Sequence, residues 1–177
     1  MSNATYTLRC VYSEEIIAAR VREIAAEINR LYAGEPLVVV CVLKGAFMFF
    51  SDLVKHLTVR PELDFVRLAS YGSGTKSTGD VMLVKDVDMS LEGKHVLIVE
   101  DVIDTGHSMD FLLKLFAVRG AASLRLAVLI DKQERREVNV TPDFAGFVLN
   151  EGFIVGYGLD YAQHCRELPA IYEAVFS

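Results

Sequence analysis

The chain has 177 residues, room for one domain of ordinary size and not for two. A hydrophobic content of 52% can bury a sizeable core and excludes a disordered chain. The net charge of −6 excludes a protein whose main work is gripping duplex nucleic acid through a basic face, yet leaves room for an anionic substrate held by backbone amides and a few cations.

The first ten residues have no basic-then-apolar signal pattern, and no element is assigned ahead of Ser13. Ser13 reads as a helix N-cap, followed by Glu14 and Glu15 in the first turn. Ile17, Val21, Ile24, Ile28 and Leu31 then form a helical stripe, with Gly34 as the stop. Residues 37–42 are a β-branched run between Pro36 and Gly45, as expected of a strand buried on both faces. A short helix is expected over residues 46–57, and strands over 63–69 and 81–85. Between those strands, residues 70–79 are small, polar and glycine-rich, an exposed loop.

Residues 95–99 read as another buried strand, 108–118 as a helix ended near Gly120, and 124–130 as a further strand. Residues 144–149 and 153–157 are late strand candidates, and 168–175 fit a closing helix. This alternation predicts a single α/β domain over residues 1–177 with a mostly parallel sheet, whose ligands gather beyond the C-terminal strand ends. Cys10, Cys41 and Cys165 are far apart, form no CxxC pair and leave an odd one, which argues against a disulfide framework or a zinc site. Cys41 reads as core filling. No apolar stretch is long enough to span a bilayer, so a cytoplasmic protein without membrane attachment is expected.

The most informative segment runs from Val96 to Ser108. A buried strand runs out into Glu100 and Asp101; Asp104 follows, and then a Thr105-Gly106-His107-Ser108 turn opens a helix. Amides at a helix N-terminus favour an anion, Thr105 and Ser108 add hydroxyl donors, and Gly106 lets a phosphate approach the backbone. The two carboxylates suit the vicinal hydroxyls of a ribose. Acids at strand ends are common, and the turn could be a simple cap. A phosphoacceptor receiver domain would need its acid pair on the first strand, whereas here the pair comes late.

This string resembles the signature of the type I phosphoribosyltransferases, and across residues 38–166 the match narrows to the hypoxanthine-guanine phosphoribosyltransferases, above all the short bacterial kind. The resemblance implies a mostly parallel central sheet flanked by helices, with a small hood built from terminal segments. It implies that Lys44 and Gly45 meet the diphosphate of 5-phosphoribosyl 1-diphosphate, after a cis Leu43-Lys44 bond. Glu100, Asp101, Asp104, Thr105, Gly106, His107, Ser108 and Arg166 complete that substrate's site. Ser70 and Tyr71 begin a lid that excludes water. Lys132 donates to the exocyclic oxygen of the purine, Phe153 stacks on the base, and the Ile154 backbone meets its edge. A lysine donates and does not accept, so it favours a 6-oxo over a 6-amino group. Mg2+ is the implied cofactor, with Glu100, Asp101 and Asp160 as its ligands. Asp104 is the implied general base or acid near N7.

The departures from the family pattern are small. His107 stands at a variable position, where exposure fits better than catalysis. Ser108 replaces the commoner Thr and keeps the hydroxyl. The implied reaction is purine salvage: transfer of the phosphoribosyl group to hypoxanthine or guanine with release of pyrophosphate. The rival readings are a non-catalytic regulator that binds the ribosyl diphosphate and nucleic acid, a phosphoribosyltransferase for another acceptor, and a plain structural domain. The acidic balance weighs against a nucleic-acid partner. The resemblance also implies a homodimer or homotetramer.

Overall fold

A computed structural model describes residues 6–70, 81–149 and 151–176. In chain order the elements are β1 (Tyr6–Tyr12), α1 (Glu14–Leu31), β2 (Leu37–Leu43), α2 (Phe47–Lys55), β3 (Glu62–Ser70), β4 (Val81–Lys85), β5 (His95–Ile103), α3 (His107–Val118), β6 (Ser123–Asp131), β7 (Phe144–Val148), β8 (Ile154–Val155) and β9 (Ile171–Phe176).

Helix α1 forms where the stripe and its cap predict: Ser13 Oγ accepts from the Ile16 amide at 3.4 Å, and Ile17, Val21, Ile24 and Ile28 are buried. The six-stranded sheet has the order β4-β3-β2-β5-β6-β7. Strands β3, β2, β5, β6 and β7 run parallel, and β4 closes one edge antiparallel to β3. Its centre is apolar on both faces. Val39, Cys41, Leu97, Val99 and Leu129 pack with the buried residues of α1 and α2. The alternate set, Val38, Val40, Val96, Ile98, Leu126 and Val128, packs with Met109, Leu112 and Phe116 of α3. Period-2 alternation in an all-apolar strand produces these two faces, one for each helical layer. Cys41 is fully buried, and burial pushes its thiol up to about 12. All three cysteines are free.

From β2 the chain goes to β3 on one side, and β5 returns to the other side of β2. The strand order therefore reverses between β2 and β5, and a crevice opens beyond their C-terminal ends. That is where an open parallel sheet binds ligands. Residues 43–45 and 100–108 lie there.

A second sheet, of order β1-β9-β8, is antiparallel throughout and pairs Tyr6 with Phe176 and Ile154 with Glu173. It is the hood. Two sequence expectations are corrected by it. Residues 168–175 do not form a helix: residues 171–176 are the strand β9. Residues 6–12, given no element above, are β1. Ile171, Tyr172, Val175 and Phe176 suit a pleated surface, and two neighbouring strands supply backbone partners that a short helix would lack. The predicted strand at 95–99 also extends to Ile103, so Glu100 and Asp101 lie within β5.

Candidate active site

Beyond β5 the Asp104-Thr105-Gly106 segment leads into α3. Gly106 is the N-cap, at φ 92°. A side chain there would be strained in the left-handed region and would also strike Val138 and Arg136. The turn is held from below by the Glu137 and Val138 amides, which donate to the Thr105 carbonyl at 3.0 and 3.3 Å. A cavity of about 140 Å³ opens over it, lined by Glu100, Asp104, Thr105, Gly106, Ser108 and neighbours. His107 is half-buried rather than exposed, with Nε2 2.8 Å from Glu137 Oε2. A second cavity of about 210 Å³ is lined by Asp101, Asp104, Lys132, Phe153, Ile154, Leu159 and Asp160. Asp104 belongs to both.

The second cavity joins core and hood. Lys132 follows the end of β6 and donates from Nζ to the Gly152 carbonyl at 2.8 Å. Phe153 precedes β8. Its ring edges meet Tyr161 and Phe176 at centroid distances of 5.5 and 5.8 Å, and 44% of the residue stays exposed. Edge contacts fix the ring while leaving a face for stacking.

The remaining wall comes from two loops packed together. The Leu43–Lys44 bond is cis. Lys44 Nζ donates to Gln163 Oε1 at 3.1 Å. Arg166 pairs with Asp160 at 2.6 Å and donates to the Gly158 carbonyl at 2.7 Å, and the Gln163 amide donates to Asp160 Oδ2 at 2.8 Å. Gly45 is required by closeness: a Cβ there would stand 1.6 Å from Asp101 Oδ2. Lys44, Gly45, Asp160, Arg166 and the β5 acids thus form one surface. Of the two residues expected to begin a lid, Ser70 ends β3 and pairs with Val81, while Tyr71 lies outside the described residues.

Glu100 and Asp101 are the electrostatic anomaly of the site. Burial, then the Asp101 charge, then the hydrogen bond between the two carboxyls raise Glu100 well above the usual carboxylate range. Burial also raises Asp101, against the opposing pull of the Glu100 hydrogen bond, the Val102 amide and the Arg166 charge. Glu100 Oε2 and Asp104 Oδ1 are buried without a hydrogen-bond partner. An orphaned oxygen beside a second carboxyl fits a hard cation that keeps most of its shell as water and substrate oxygens. Among the described residues no three His, Cys, Asp or Glu side chains form a metal-holding group, so Asp160 is not gathered with the β5 acids into one cluster.

Three site residues escaped the sequence reading. Arg135 Nη1 lies 3.0 Å from Asp104 Oδ2. Arg136 donates to several loop carbonyls beneath Asp104. Gln163 links Lys44 to the Asp160 loop. The only available signal was an Arg-Arg pair just after the strand-end Asp131-Lys132 of an acidic chain.

Comparison with known proteins agrees with this geometry. The family model for the phosphoribosyl transferase domain matches residues 10–162. The chain is 42% identical to the hypoxanthine-guanine phosphoribosyltransferase of Bacillus subtilis over 163 residues, covering 92% of this chain and 91% of that protein. It is 43% identical to the hypoxanthine phosphoribosyltransferase of Escherichia coli over 168 residues, 94% of each chain. A crystal structure of hypoxanthine-guanine phosphoribosyltransferase from Bacillus anthracis superposes with a TM-score of 0.90 at 39% identity, covering 97% of this chain and 99% of that one. The parallel sheet, the hood and a turn-and-crevice site between them are thus accompanied by similarity along nearly the whole sequence: the chain belongs to the phosphoribosyl transferase domain family, on its hypoxanthine-guanine branch.

Proposed function

We propose that this protein, as one phosphoribosyltransferase domain, transfers the 5-phosphoribosyl group from 5-phosphoribosyl 1-diphosphate to hypoxanthine or guanine, giving IMP or GMP and pyrophosphate in purine salvage. The observation that carries the reading is the place of Asp104, between a cavity over the helix-opening turn and a cavity bounded by Lys132 and Phe153. One side suits a phosphate, the other a flat base with an acceptor oxygen.

In this reading the Thr105–Ser108 amides and hydroxyls hold the 5-phosphate at the N-terminus of α3. Glu100 and Asp101 orient the ribose hydroxyls. Lys44 and Arg166 face the diphosphate, where their charge grows in value as the leaving group departs. Glu100 and Asp101 would hold Mg2+, which when bound neutralises charge on the diphosphate, and Asp160 would face the metal-bound diphosphate from the separate wall it shares with Arg166. Lys132 donates to O6 of the base, Phe153 stacks on it, and the Ile154 backbone meets its edge. Asp104 faces N7, where it takes or holds a proton as the base is ribosylated. Ser70 and Tyr71 begin the lid that keeps water from an oxocarbenium-like centre. Much of the acceleration comes from lining up two large substrates.

The exposed apolar residues Leu63 and Phe65 of β3 and Met82 and Val84 of β4 support self-association as a homodimer or homotetramer. Sedimentation at a single monomer mass would overturn that part. No described helix is long and apolar enough to cross a membrane.

The test is a spectrophotometric assay with 5-phosphoribosyl 1-diphosphate, Mg2+ and, in turn, hypoxanthine, guanine, xanthine and adenine. Turnover of hypoxanthine or guanine without adenine is expected. Turnover of adenine alone would overturn the assignment of the base. Binding of the ribosyl diphosphate with no turnover of any base would overturn the enzyme.

A further inference from the structure

Arg136 lies beneath the site and lines neither of its two cavities, yet its guanidinium joins the segments that form them. Nε donates to the Asp104 carbonyl at 3.0 Å, and Nη1 donates to the Val140 carbonyl. Nη2 pairs with Asp131 and reaches the Lys132 and Ile103 carbonyls at 3.3 and 3.5 Å. Asp131 is 4% exposed, and its other oxygen accepts from Gln133 Nε2 at 2.9 Å. The Arg136 stem passes under Gly106, its Cδ 3.1 Å from where a Cβ would stand. A planar fork of five N–H donors serves acceptors in several directions at once, which a lysine ammonium on a flexible stem cannot do.

The residues so joined are Asp104 and Lys132, the two side chains assigned above to the N7 and O6 edges of the base. They stand just past the ends of different strands, β5 and β6, and their backbones share this one guanidinium. The turn that faces the phosphate has its own support, from the Glu137 and Val138 amides to the Thr105 carbonyl. We infer that Arg136, locked by Asp131, is a positioning residue for the purine: it fixes the spacing between the Asp104 carboxylate and the Lys132 ammonium, and so sets the register of the base against the ribose. The inference rests on the functional reading above.

The positioning role differs in its kinetics from a plain structural brace. Loss of a brace loosens the whole β5–α3 loop, so both substrates suffer together. Loss of the positioning contact falls on the base. Arg136→Lys keeps a cation opposite Asp131 and removes the fork. The double variant Asp131→Asn/Arg136→Gln removes both charges, so that neither is left buried alone. For each variant, kcat and KM for hypoxanthine and for 5-phosphoribosyl 1-diphosphate are measured with thermal melting of the same sample. The expected result is a hypoxanthine KM raised about tenfold or more, with the KM for the ribosyl diphosphate within about twofold, in proteins that still melt cooperatively. Equal rises in both KM values, unchanged kinetics in Arg136→Lys, or failure of both variants to fold would overturn the inference. The unaltered protein separates the two levels: its failure to use hypoxanthine would defeat the functional reading, whereas an active parent with an unaffected Arg136→Lys defeats only the positioning role.

Discussion

Gly45→Ala tests the contact between the two strand ends at the switch point. The new methyl would stand 1.6 Å from Asp101 Oδ2, and real Cβ contacts begin near 3.0 Å. Either the Asp101 carboxylate or the residue 43–45 loop must therefore retreat by roughly 1.4 Å, and misplacement by an ångström in a reacting constellation costs on the order of 10²-fold. Gly45 is outside the left-handed region, so the effect is one of space alone. Overpacking of this kind destabilises by about 1–3 kcal/mol, which leaves a folded protein. The expected result is a kcat/KM for 5-phosphoribosyl 1-diphosphate lowered about 100-fold in the spectrophotometric assay, with circular dichroism unchanged. Asp101→Ala should also be impaired, and adding Gly45→Ala to it should cost little more, because the atoms the methyl strikes are gone. Additive losses in that cycle, or an unimpaired Gly45→Ala, would refute the reasoning.

Asp104→Asn is expected to lower kcat by about 10²–10⁴-fold with substrate binding retained, as loss of a general acid–base group does; unchanged turnover in stopped assays would remove Asp104 from the chemistry. Lys132→Gln loses a charged donor but gains an acceptor for a 6-amino group, so the KM for hypoxanthine should rise about tenfold, or about 1.4 kcal/mol, and discrimination against adenine should narrow. An unchanged ratio of the two bases would show that Lys132 does not read the base. Glu100 is raised by burial first, so the folded state keeps a proton that the unfolded chain releases above its ordinary value near 4.5. The stability from this group is present below that pH and is lost as pH rises toward the folded value. In chelator-treated protein, melting temperatures should fall from pH 5 upward, and Glu100→Gln should flatten the fall; parallel slopes would count against it.

The sheet was legible because β2, β5 and β6 are apolar on both faces, a pattern that only a doubly covered strand satisfies. The candidate site was legible where it lies on contiguous residues, as in 100–108, with a carboxylate pair, a turn and a helix start in one string. What the sequence hid is non-local. Residues 171–176 have no strong period of their own, and they become a strand because β1 and β8 offer them partners. Arg136 and Gln163 are ordinary polar residues until the loops fold, and their roles come from the Ile103 and Asp104 carbonyls and the Lys44 ammonium, far away in the chain. The face of His107 toward Glu137 is likewise set across 30 residues.

The hood is closed by contacts spanning nearly the whole chain: the Arg9–Glu173 pair bridges 164 positions. Contacts at such separation add stability only after much chain is ordered, and a three-stranded rim joined to the core by few elements is a unit that can open locally. The Asp104–Ser108 turn instead follows β5, a central strand of the six-stranded sheet. On the proposed assignment, the Phe153–Ile154 wall of the base site rests on the less durable part and the phosphate turn on the more durable one. Amide exchange gives this asymmetry a visible form: β1 and β9 should exchange well before β2 and β5, and uniform protection across both sheets would speak against it.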